Sequence, residues 1–172
     1  YSLFVIFIVQ CCNLFGQDFT IADSLRQAIQ NSSSDVDKYE SLHLLAIEYL
    51  DRDNKKALDV VLDAEVVALR IDDSLYRTKS QRLKAQVLYR LGMVQETIET
   101  ITQALPYATA NNYHEEHLAM VNLLGGCYLS LSQFDNALRY HLMTLDIARK
   151  IGDKGFEAAG LMNIGLCYYK LK

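Results

Sequence analysis

Residues 124–137 read LGGCYLSLSQFDNA, two apolar segments that meet at the polar pair Ser132-Gln133. Before that pair Leu124, Tyr128 and Leu131 recur at helical spacing, and after it Ala137, Leu138, Leu142 and Leu145 do the same. The stretch therefore reads as a helix, a short turn and a second helix. Subtraction outward from it reveals a repeat. Ala57, Thr97 and Ala137 lie 40 residues apart. Ala68-Leu69-Arg70-Ile71-Asp72-Asp73 returns 80 residues later as Ala148-Arg149-Lys150-Ile151-Gly152-Asp153, with the divergent residues 108–113 halfway between. Gly125 and Tyr128 return as Gly165 and Tyr168.

Extending this period over the chain predicts helix pairs at residues 37–51 with 54–71, 74–91 with 94–110, and 114–131 with 134–150, then a lone helix from 155 onward. Gly inside a helix costs about 1 kcal/mol relative to Ala. A Gly recurring at one register, Gly125 and Gly165, therefore predicts that the paired helix approaches too closely for a side chain. Ala46 and Ala85 take that role in the earlier hairpins. A hydrophobic content of 51% with only 8 Gly and one Pro leaves little material for a turn-rich β fold. The expected class is all-α, an α-α superhelix of antiparallel hairpins.

Leu124-Gly125, Tyr128, Phe134 and Ala137 match, residue by residue, the Leu-Gly, Tyr, aromatic and Ala pattern of the tetratricopeptide repeat (TPR) family, and Ile164-Gly165 with Tyr168 begins the pattern again. The chain resembles that family over residues 37–172, in its form of roughly 40 residues per repeat. The second hairpin departs from it, with Lys84 at an apolar position, Thr97 in place of Ala, and Pro106 inside the second helix, where a missing N–H and a ring clash should kink the last turn. The turn of the first hairpin is one residue shorter. The resemblance implies a solenoid of three hairpins plus the first helix of a fourth, presenting a concave groove to a protein or peptide.

Upstream of the array, residues 17–36 read as a capping helix and linker, with Leu25 and Ile29 at i, i+4 spacing followed by the stop Asn31-Ser32-Ser33-Ser34-Asp35. Residues 1–16 carry no charged side chain, and 3–9 form an unbroken apolar run. That run is too short for a bilayer, which takes about 20 residues, and has the length of a signal-peptide core. Cleavage after Gly16 is expected, with export to the periplasmic or extracytoplasmic side of a membrane. Leader, capping helix and first hairpin together look like the N-terminal region of extracytoplasmic TPR proteins of bacteria. In such proteins the array often precedes a membrane helix and a histidine kinase or DNA-binding domain, which implies an alternative role as the sensory or dimerisation region of a signal-transduction protein.

The formal net charge of −4 offers no basic face for nucleic acid. Cys11 and Cys12 fall in the leader, whereas Cys127 and Cys167 stand one period apart and read as small packing residues rather than a disulfide. His114-Glu115-Glu116-His117 places two imidazoles near one helix face without a third ligand, so no metal site is assigned. His43 and His141, alone on apolar faces, read as packed, hydrogen-bonded core residues. No nucleophile, dinucleotide or phosphate-binding motif occurs, so neither a catalytic residue nor a cofactor is expected.

Candidate binding residues come instead from the first helix of the second hairpin. Lys79, Arg82, Gln86, Tyr89 and Arg90 should face the groove, with both arginines exposed. Such a basic groove would attract an acidic segment or a carboxylate terminus. On the last helix Leu161, Ile164, Tyr168 and Leu171 form an apolar stripe whose counterpart in each earlier period is covered by the following helix. A further helix is therefore expected to follow. Without one, this edge should fray or pair with a second chain.

Overall fold

Thr20 begins the part of the chain that the computed structural model describes, residues 20–172; the leader read over 1–16, with Cys11 and Cys12, lies outside it. The Thr20 hydroxyl accepts the Asp23 N–H at 3.2 Å while the Asp23 carboxylate reaches back to Thr20, a reciprocal cap that starts α1 (Ile21–Gln30). Ser34 caps α2 (Asp35–Leu50) and Asp53 caps α3 (Asn54–Ala68) in the same manner, each side-chain oxygen accepting a first-turn N–H. Ala22 and Leu25 of α1 bury themselves against Leu45 of α2. Arg70, just past α3, forks onto the Asp35 carboxylate at 2.7–3.2 Å and ties the far end of the hairpin to its beginning. That pairing holds the Asp35 carboxyl below its usual range, chiefly through the hydrogen bond from Arg70.

These elements form one unit, ending at Asp72; Asp73–Lys172 form another. The second unit contains α4 (Ser74–Arg90), α5 (Val94–Ala110), α6 (His114–Ser130), α7 (Phe134–Ile151) and α8 (Lys154–Lys170). Within each unit successive helices pack as hairpins, the helical-repeat arrangement of an α-α superhelix, and no strand occurs among the described residues. The helix limits match the periodicity to within three residues, α3 showing the largest difference by ending at Ala68.

One turn closes all four junctions of the second unit. Gly92, Asn112, Ser132 and Gly152 take left-handed φ values of 77°, 57°, 57° and 77°. In each case the next residue's N–H bonds a carbonyl five positions back at 2.9 Å: Met93 to Leu88, Tyr113 to Ala108, Gln133 to Tyr128, and Asp153 to Ala148. This is the six-to-one bond of a Schellman cap, which satisfies carbonyls that a helix end leaves open. The shorter first hairpin lacks it. There Asp53 N–H bonds Tyr49 at 2.7 Å, and no left-handed residue intervenes. Ser132 alone among the four turn residues is neither Gly nor Asn. Ser132→Gly should therefore raise stability by about 0.5–1 kcal/mol, a gain readable in urea unfolding, and a neutral result would show that the turn is unstrained.

The packing column at each hairpin's centre explains both agreement and departure. Ala46 with Val61, Ala85 with Ile101, and Gly125 with His141 occupy equivalent places, and all six are buried. A Cβ on Gly125 would lie 2.4 Å from the His141 ring, so the expected close approach occurs there. At Gly165 it does not: a Cβ would meet nothing within 4 Å. The expectation that His141 is hydrogen-bonded also needs correction, because neither ring nitrogen has a partner. His43 does meet it, with Nδ1 3.3 Å from the Tyr39 hydroxyl. Thr97 substitutes for Ala by donating its hydroxyl to the Met93 carbonyl at 2.8 Å, which allows complete burial. Pro106 does not end its helix, which continues to Ala110. Cys127 and Cys167 are buried free thiols, and burial pushes Cys127 up to about 12.

Candidate partner-binding face

The first helices of the three periods in the second unit are α4, α6 and α8. At the 40-residue offset, Arg82, Gln86 and Tyr89 of α4 correspond to Asn122, Gly126 and Leu129 of α6 and to Met162, Leu166 and Tyr169 of α8. Spacings of four and three residues keep each trio on one helix face.

The five residues marked on α4 divide in two. Arg82 pairs through Nε with the Glu116 carboxylate of α6, and its Nη1 donates to Gln86 Oε1 at 3.3 Å. The two charged side chains are only 20% and 9% exposed, which corrects the expectation of an exposed Arg82. The Tyr89 hydroxyl donates to the Gly126 carbonyl at 3.3 Å and lies 3.3 Å from Ser130 Oγ. A Cβ at Gly126 would stand 3.2 Å from that hydroxyl, so this glycine makes room for the link. Arg82, Gln86 and Tyr89 thus connect α4 to α6, or orient the group that does. Lys79 is half-buried with its ammonium 5.6 Å from the Tyr76 ring centre, and Arg90 is exposed.

The open part of the face is apolar. Met162, Leu166 and Tyr169 of α8 are 70%, 42% and 72% exposed. Charge does not single out this trio in the sequence; the 40-residue offset from Arg82, Gln86 and Tyr89 does. Lys170 Nζ lies 5.9 Å from the Tyr169 ring centre and adds a cation at the same end.

Elsewhere, His114 is exposed and His117 half-buried, the latter held below the usual histidine range by burial and then by the neighbouring His114 charge. No group of three potential metal ligands gathers among the described residues. Nor is any described helix long and apolar enough to cross a membrane. Comparison of the chain with family models and with curated proteins finds no match.

Proposed function

We propose that the chain is a tetratricopeptide-like binding module that takes up a protein or peptide on the face formed by α4, α6 and α8. The exposed row Met162, Leu166 and Tyr169 carries this reading. Large apolar side chains grouped on one exposed face are characteristic of interaction sites, where Met and aromatic residues are enriched. The register adds support, since the row continues the face that Arg82, Gln86 and Tyr89 begin. The partner is a segment with apolar anchors for α8. The cationic groups at Lys79, Arg90 and Lys170 favour acidic residues beside those anchors. The leader in residues 1–16 supports an extracytoplasmic setting.

Selection from a displayed peptide library tests the proposal. Ligands should combine apolar and acidic residues, and Met162→Glu with Tyr169→Ala should weaken them at least tenfold while leaving helicity intact, because both side chains are largely exposed. Lys79→Ala with Arg90→Ala should flatten the salt dependence of capture. Peptides indifferent to both pairs of substitutions would sink the reading.

A further inference from the structure

Lys55, Asp59, Leu62, Val66 and Leu69 follow one another along α3 at spacings of four and three, which puts them on one helix face, and all five are exposed. Leu62, Val66 and Leu69, the last at the C-cap, are 42%, 57% and 61% exposed. The repeat identifies this face. At the 40-residue offset α5 places Thr102, Pro106 and Thr109 on it, and at twice that offset α7 places Leu142, Asp146 and Arg149, all of them exposed. The α6–α7 hairpin follows α5 and still leaves its row in solvent, so stacking of the repeat does not cover this face. Only the first period is apolar at all three places. Just beyond the row stand Arg70 and Asp72, both exposed. Lys55, Asp59 and Asp72 have no ion-pair partner among the described residues. Arg70 holds Asp35 through Nε and Nη2, with its side chain still 49% exposed.

We infer that this face of α3 pairs two copies of the chain, α3 lying antiparallel to α3 about a two-fold axis between Leu62 and Val66. The charge order selects a second copy as the occupant. Along the face it runs basic Lys55, acidic Asp59, three apolar residues, basic Arg70 and acidic Asp72, and read from the other end that order is its own complement. The axis sets Leu62 against Val66 of the second copy, Asp59 beside its Arg70 and Lys55 toward its Asp72, and each contact occurs twice. Lys55 and Asp59 thereby gain the counter-charges that they lack within one chain, whereas a parallel pairing would set each against its like. A different partner would have to supply that order, and a second copy already has it. The apolar row spans about 10 Å of helix, too little for a standard interface of about 1,600 Å². The dimer is therefore weak and reversible, with a Kd on the order of 10–100 μM. The inference does not draw on the binding face of α4, α6 and α8.

Sedimentation velocity on the full chain, from about 1 to 500 μM, tests it against that Kd. A monomer–dimer equilibrium is expected. Val66→Lys, which brings two ammonium groups to the axis, should weaken it tenfold or more and leave helicity and thermal midpoint unchanged, because the side chain is exposed. Lys55→Glu should weaken the dimer several-fold, and adding Asp72→Lys should restore it, since the reversed pair forms again across the axis. A change that merely disturbed the helix would not be rescued in this way. Tyr168→Lys on α8 should have no effect. A chain that stays monomeric throughout overturns the inference. So does association that ignores Val66→Lys, that Asp72→Lys fails to rescue, or that Tyr168→Lys abolishes.

Discussion

Arg82→Ala is expected to lower folding stability by about 2–4 kcal/mol, whereas Arg90→Ala should change it by less than about 0.5 kcal/mol. The two residues lie on one helix and bear the same charge, but their surroundings differ. Arg82 meets Glu116 across the α4–α6 contact, where the carboxylate is only 9% exposed, while Arg90 is exposed at the helix end. Removing Arg82 leaves Glu116 largely shielded from water without its counter-ion and frees the Gln86 acceptor. Because the pair is screened little by solution ions, most of the loss should persist in high salt. Adding Glu116→Gln to Arg82→Ala should recover part of the loss by removing the stranded charge, which a double-mutant cycle would resolve. Urea unfolding followed by circular dichroism measures all three. Equal midpoints for the two Arg→Ala variants would show that Arg82 is a solvated surface charge after all.

The second large effect is expected in acid. His141 is buried, neither nitrogen has a hydrogen-bond partner, and burial alone lowers its pKa to about 4. In the unfolded chain it returns to about 6.5. Between those values the unfolded state binds the extra proton, so stability rises with pH. The contribution is fully present above about pH 6.5, falls as pH drops toward 4, and levels off below, a loss of roughly 3 kcal/mol. Gly125→Ala with His141→Ile reproduces the Ala85 and Ile101 pair of the preceding hairpin and should abolish this step while holding stability near pH 7. Each single change should be worse than the pair. Gly125→Ala forces a methyl into the imidazole at a cost of about 1–3 kcal/mol, and His141→Ile leaves unfilled space over the glycine. His117 titrates in the same direction, so the difference between parent and double variant, not the parent profile alone, isolates His141. An unchanged acid profile in the double variant would refute this account.

The fold was legible because helices leave a local record. Apolar spacing of three and four, turn residues every half period and the Ala57, Thr97 and Ala137 series locate the α2–α3, α4–α5 and α6–α7 hairpins. The partner face was only half legible. The register marked which α4 residues share the face turned to the groove, since a face follows from the 3.6-residue turn, but not that Arg82 and Tyr89 meet α6 there.

Whether Arg82 stays in solvent or pairs with Glu116 depends on residues 34 positions apart in the chain, and only packing brings them together. The same holds for glycine. Gly125 and Gly165 share identity, register and helix propensity, yet one carries the His141 ring over its Cα and the other faces open space. By itself the sequence determined the helices, their pairing and the apolar stripes, because these depend on periodicity within one or two turns. Tertiary structure decided which charge is neutralised and which imidazole is dry, because desolvation and steric fit are set by neighbours that arrive from another helix.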